Sequence, residues 1–129
     1  MNINMTKDLN AILRSIKQID GGETGDTRIR IKLSDDSVIT MEHHQDCCES
    51  VYLDEFDSVD SLQELVGRVL YSIESREEEM TSENCRAEYF ESGTWTFYHL
   101  KTSRGDVTLT WRGESNGYYS ESVDIKWEE

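Results

Sequence analysis

The segment His43-His44-Gln45-Asp46-Cys47-Cys48-Glu49 gathers imidazole, carboxylate and thiol groups within seven residues, the donor types that hold zinc. Four such donors at about 2.0–2.3 Å make a tetrahedral site. The candidate ligands are His44, Cys47 and Cys48, completed by the distant His99 or Cys85. Their spacing argues against a metal. Adjacent residues on a strand point to opposite faces, and neither C-x2-C nor H-x3-H occurs. In the plainer account a strand ends at His43, and Cys47 and Cys48 are small buried apolar groups. A nucleophilic cysteine needs a base beside it and a depressed pKa, which no local pattern supplies. No catalytic residue, no enzymatic activity and no cofactor is expected.

A second group lies near the C-terminus. Gly113-Glu114-Ser115-Asn116-Gly117-Tyr118-Tyr119 matches neither G-x-S-x-G nor a phosphate loop, because no Lys-Ser/Thr follows it. It reads as a hairpin turn with the two tyrosines splayed to opposite faces. The alternative is a ligand pocket for a nucleotide signal, built from Tyr98, Arg112, Asn116, Tyr118 and Tyr119. Trp95, Phe97, Tyr98, Trp111 and Trp127 concentrate aromatic area in the same third of the chain. Most of it is expected in the core, because a small sheet must bury its large side chains somewhere. Arg28, Arg30 and Lys32 make a basic strip on one strand face, which reads as a set of cross-strand ion pairs rather than an anion site.

The carboxylates are the largest quantitative feature. The 129 residues carry 27 Asp+Glu against 13 Lys+Arg, a formal charge of −14. Three cations and two acids through Gly22 leave +1 there, and the remainder carries −15. From Glu42 to Glu64 the acids Glu42, Asp46, Glu49, Asp54, Glu55, Asp57, Asp60 and Glu64 meet no Lys or Arg. Glu77, Glu78 and Glu79 follow as a run. Such a balance disfavours direct binding to nucleic acid or to an anionic membrane. A chain of this length has a diameter of about 35 Å, over which duplex DNA presents roughly twenty phosphates. Its net charge comes within a factor of two of that. The expected function is therefore a non-enzymatic acidic inhibitor whose partner is a host protein with a basic surface, engaged by imitating nucleic-acid charge.

These groups need a scaffold. Apolar residues at Met5, Leu9, Ile12, Leu13, Ile16 and Ile19 recur at i, i+3/i+4 and i+7, which predicts an amphipathic helix ended by Asp20-Gly21-Gly22. Beyond it the period becomes two. Ile29, Ile31 and Leu33 alternate with the basic strip, Ser34 to Ser37 turns, and Val38 to His43 returns as the second strand of a hairpin. A short helix is expected over 59–66, a strand over 68–74 and a charged loop over 76–86. Strands carrying Thr94 to Lys101, Val107 to Trp111 and Val123 to Trp127 complete a meander, with turns at Ser103 to Asp106 and Gly113 to Gly117. The reading is α+β: one domain over 1–129, with a helix over 1–22 packed on a β-rich body over 27–127. Three cysteines, two of them adjacent, fit a reducing cytoplasmic setting, and no apolar run approaches a membrane span. A homo-oligomer is compatible with an amphipathic first element.

Three runs also carry a resemblance. Gln45-Asp46-Cys47-Cys48-Glu49-Ser50-Val51, Ser92-Gly93-Thr94-Trp95-Thr96-Phe97-Tyr98 and the stretch from Trp111 through Gly117-Tyr118-Tyr119 to Asp124 resemble an uncharacterised small family of phage and bacterial genomes. The similarity spans roughly Ile29 to Asp124, so the first element and the charged stretch 76–86 stand outside it. The resemblance implies no particular chemistry. It makes a small host-takeover or anti-defence factor more plausible than a metabolic enzyme.

Overall fold

The structure is a computed structural model that describes residues 2–20, 27–43, 49–81, 92–115 and 121–128. It is built from β-strands: β1 (Asn2–Asp20), β2 (Thr27–Leu33), β3 (Val38–Glu42), β4 (Ser50–Phe56), β5 (Val69–Glu79), β6 (Ser92–Thr102), β7 (Gly105–Ser115) and β8 (Asp124–Glu128). The single helical element among the described residues is a 3-10 turn at Leu62–Leu65. The strands follow the order β4-β7-β6-β5-β1-β2-β3-β8, every neighbouring pair antiparallel.

This overturns the α+β expectation. The segment expected as an N-terminal helix is the 19-residue strand β1. Its apparent helical period comes from a register break between Leu13 and Ser15. Leu9, Ala11 and Leu13 alternate inward, the irregularity shifts the parity, and Ile16 points inward next. Spacing of 9, 13 and 16 then imitates a helix stripe. Ile12 and Ile19, which that stripe would bury, are 46% and 43% exposed.

β1 also organises the fold. Its first part pairs with β5 from Asn2 to Ile12, and its second with β2 from Leu13 to Asp20. The exchange is clamped from both sides. Ile12 N–H donates to Ser34 Oγ (3.0 Å) and its carbonyl accepts from Ser34 N–H (2.9 Å). Leu13 N–H reaches the Arg68 carbonyl (2.9 Å), and its own carbonyl accepts from Gly67 N–H (2.8 Å). Two sheets thus share one strand and close on one apolar cluster, which includes Ile31, Ile39 and Met41 from one and Leu70, Leu100, Leu109 and Trp111 from the other. Continuous burial on that scale is the dominant favourable term in folding.

Other expectations shift for local reasons. The helix expected over 59–66 contracts to the 3-10 turn, because Val66 is extended and Gly67 sits at φ +93°. Ser61 and Glu64 close a capping box around that turn, which buries Leu62 and Leu65. β5 runs on through Glu77-Glu78-Glu79, where a loop was expected, since pairing with Thr94 to Thr96 of β6 continues there. β4, not foreseen, pairs with β7. The meander breaks at its end. β8 leaves β7 and pairs with β3, setting Ile125 opposite Met41 and Trp127 opposite Ile39. The hairpins β2–β3 and β6–β7 agree with the sequence reading, the latter turning at Gly105 with φ +109°.

Candidate functional site

Three arrangements of polar groups rest on this scaffold. The first is buried. His43 continues the inward parity of Ile39 and Met41, and its side chain is 2% exposed against 0% for that of Glu49. His43 Nδ1 lies 2.6 Å from the Ser122 carbonyl and Nε2 lies 3.0 Å from Glu49 Oε2. A carbonyl only accepts, so Nδ1 carries a proton. Nε2 then either donates to the carboxylate as imidazolium or accepts from the carboxyl, and in both states the pair has no net charge. Residues 121–123 are tied down on either side of this contact. Glu121 accepts from Thr94 Oγ1 (2.8 Å) and from the Ser115 hydroxyl, while Tyr98 Oη donates to the Val123 carbonyl (2.6 Å). Gly113 permits the crossing, because a Cβ there would lie 2.7 Å from the Glu121 carbonyl oxygen.

The second arrangement is a cleft where the edge of β8 meets the inner face of β5 and β6. Ser75, Glu77, Thr96, Tyr98, Asp124 and Lys126 contribute to its walls. Burial, and after it the negative charges of Asp124 and Glu77, push the Tyr98 phenol above its ordinary pKa.

The third is an acidic edge. Asp54, Glu55, Asp57, Asp60 and Glu64 are all exposed, and no Lys or Arg occurs between Asp54 and Glu64. Their backbone is fixed. Asp57 exchanges bonds with Thr108, its N–H to the Thr108 carbonyl (3.2 Å) and its Oδ1 accepting from Thr108 N–H (2.7 Å). Glu64 Oε2 accepts from Ser61 N–H at 2.9 Å in the capping box.

Two members of the acidic set foreseen from sequence lie elsewhere. Glu42 is a buried carboxylate held between Arg28 Nε (2.8 Å) and Lys126 Nζ (3.0 Å). Glu49 is the partner of His43, so neither forms part of an exposed face. Glu77 and Glu78 are half-buried on opposite faces of β5, and Glu79 is exposed at its end. Asp46, His44, Cys47, Cys48, Cys85, Asn116, Tyr118 and Tyr119 lie outside the described residues. Of the foreseen ligand pocket, Tyr98 and Arg112 are described and lie on opposite faces of the sheet. Tyr98 is in the core, whereas Arg112 pairs with Glu114 (3.0 Å) and sits 5.7 Å from the Trp95 ring centroid on the outside. Among the described residues no group of three or more His, Cys, Asp or Glu is placed to hold a metal ion.

His99 belongs to that outer face. Its ring stacks on Phe97 with centroids 6.3 Å apart, and Nδ1 lies 2.9 Å from Thr108 Oγ1. Arg76 covers Phe97 at 4.4 Å. Partial burial, reinforced by the Arg76 charge, lowers the His99 pKa against the opposing pull of Glu74, Asp57 and Asp106. The basic strip resolves as expected at one position, the Arg28–Glu42 pair across β2 and β3. Glu121 and Thr96 were not foreseen. Glu121 lies within the resembling run from Trp111 to Asp124, and Thr96 sits at inward parity beside Tyr98, the two signals that point to them.

Among the described residues, fold and site define an all-β protein whose buried acids Glu42, Glu49 and Glu121 are each matched by an internal donor. The chain belongs to the family described as a domain of unknown function, DUF7448, whose family model matches residues 9–125. That span takes in most of β1 and the stretch 76–86, both of which the sequence resemblance had set outside. No curated protein and no solved structure matches the chain. No helix of the described residues is long and apolar enough to cross a membrane.

Proposed function

We propose that the protein is a non-enzymatic acidic inhibitor that docks on the cationic surface of a nucleic-acid-processing or defence protein. The observation that carries this reading is the acidic edge: Asp54, Glu55, Asp57, Asp60 and Glu64, exposed within eleven residues that contain no cation. Two physical points support it. The His43–Glu49 pair and the Arg28–Glu42–Lys126 cluster match two buried acids internally, which sets them apart from the exposed carboxylates of the edge. The edge is anchored through Thr108 and the capping box, so its carboxylates lose less conformational entropy on docking than those of a mobile tail.

The test compares the native chain with the variant Asp54→Asn/Glu55→Gln/Asp60→Asn as immobilised bait for bacterial lysate. Glu64 and Asp57 stay unchanged because they also hold the backbone. A protein captured by the native chain is expected to be lost with the variant. It should also elute between about 10 mM and 150 mM salt, over which the Debye length falls from about 30 Å to about 8 Å. Capture that is indifferent to both changes refutes charge-driven docking.

A further inference from the structure

The cleft beside β8 is unlike the acidic edge, because it is partly enclosed and lined by hydroxyls as well as carboxylates. Its volume of about 480 Å³ falls within the range of small-molecule sites, roughly 300–1,000 Å³. Thr96, on its wall, is 2% exposed, and its hydroxyl has no hydrogen-bond partner among the described residues. Buried hydroxyls are almost always satisfied, so this one marks a place where a polar group is wanted.

The remaining lining sets the sign of that group. Glu77 reaches the cleft from β5 and Asp124 from β8. Tyr98 spends its proton on the Val123 carbonyl, which leaves the phenol oxygen only acceptor capacity. The one cation of the lining, Lys126, is held by Glu42 at 3.0 Å. Burial is the main cause of the upward shift of the Tyr98 pKa, and Asp124 and Glu77 add to it in the direction that a negative lining requires. Two carboxylates and hydroxyl oxygens ask for a cation with several donors. A metal ion fits poorly, since the described residues offer no group of three suitable ligands. A guanidinium presents five N–H donors in a planar fork that can reach carboxylates on two walls at once.

We propose that this cleft binds a guanidinium group, held by Glu77 and Asp124, with Tyr98 Oη accepting from it and the buried Thr96 hydroxyl turning to do the same. The group could be that of a free small molecule or of an arginine side chain on a peptide. The proposal is independent of the acidic edge, which lies on β4 and the loop after it.

Calorimetric titration of the full chain with agmatine, and separately with a short peptide holding one arginine, tests this directly. Saturable one-to-one binding of either probe is expected. Agmatine binding assigns the site to free guanidinium compounds, and binding of the peptide alone assigns it to a partner's arginine. Glu77→Gln and Asp124→Asn should each weaken binding by roughly tenfold or more, the loss of one charge-assisted hydrogen bond. Asp60→Asn on the acidic edge should leave it unchanged. Glu77 is half-buried and Asp124 exposed, so at least the latter variant retains the fold, as its thermal melt would show. Failure of both probes to saturate the native chain overturns the proposal. So does equal affinity in the two cleft variants, or an equal loss with Asp60→Asn.

Discussion

Replacing Glu49 by alanine leaves His43 with its Nδ1 still fixed on the Ser122 carbonyl and its Nε2 without the carboxylate it faced. The side chains of this pair are 2% and 0% exposed, so bulk water does not take the place of the missing partner. Breaking such a pair on one side costs about 3–5 kcal/mol, most of it the desolvation of the group left behind. That is a large fraction of the roughly 5–15 kcal/mol that holds a domain together. At this chain length it corresponds to a fall in melting temperature of roughly 10–20 °C. Glu49→Ala and His43→Ala should cost similar amounts. The double variant His43→Leu/Glu49→Leu should cost much less than the two together, because no buried ionisable side chain is then orphaned and only the Ser122 carbonyl loses its donor. Urea unfolding at neutral pH, followed by the fluorescence of the buried Trp111, supplies all the free energies. Two results refute the reasoning: single variants within about 1 kcal/mol of the native chain, or a double variant equal to the sum of the singles.

Three further outcomes are expected. Gly113→Ala drives a Cβ to 2.7 Å from the Glu121 carbonyl oxygen and to 3.0 Å from the Glu121 Cβ, and should destabilise by about 1–3 kcal/mol in the same urea assay. The Tyr98 phenol has a folded pKa above its unfolded value of about 10, so its contribution to stability is complete below that pH and is lost as pH rises towards the folded value. In alkaline titration read at the phenolate absorbance, Tyr98 should ionise late, and Tyr98→Phe should diminish the late fraction. His99 shifts the other way. With its folded pKa below the unfolded value of about 6.5, it leaves stability intact above that pH and withdraws it as pH falls towards the folded value. Its proton NMR titration midpoint should rise in Arg76→Gln, which removes the cation that reinforces the shift; an unmoved midpoint would contradict the assigned cause.

Much of the β body was legible, because period-two alternation is a local property. Ile29, Ile31 and Leu33, and likewise Val107, Leu109 and Trp111, announce both their strand and its inward face. β1 was misread because one register break between Leu13 and Ser15 turns a two-residue period into a three-residue step. No local pattern separates that from a helix stripe. The destination of β8 was hidden for a different reason. Whether Ile125 faces Met41 or a residue of β7 depends on closing contacts more than eighty residues apart, which no window of sequence contains. The acidic edge was half legible. Asp54 to Glu64 could be read as a run of exposed acids, but nothing around Glu49 showed that a histidine six residues away would draw it inside. Thr96 and Glu121 lay within the resembling runs, but their partners became visible only once the strands were in register.

β1 belongs to both sheets, and this constrains the order in which the chain can assemble. Its second half finds β2 across a short connection, whereas its first half must wait for β5, with Asn2 meeting Glu77 and Ile12 meeting Val69. Closing so long a loop costs entropy before any contact repays it, the condition that slows folding in proteins rich in non-local pairs. Once both halves are paired, one continuous backbone transmits any opening of either sheet to the other. The two sheets should therefore open together, with the most slowly exchanging amides near Leu13, where the strand passes from one partner to the next.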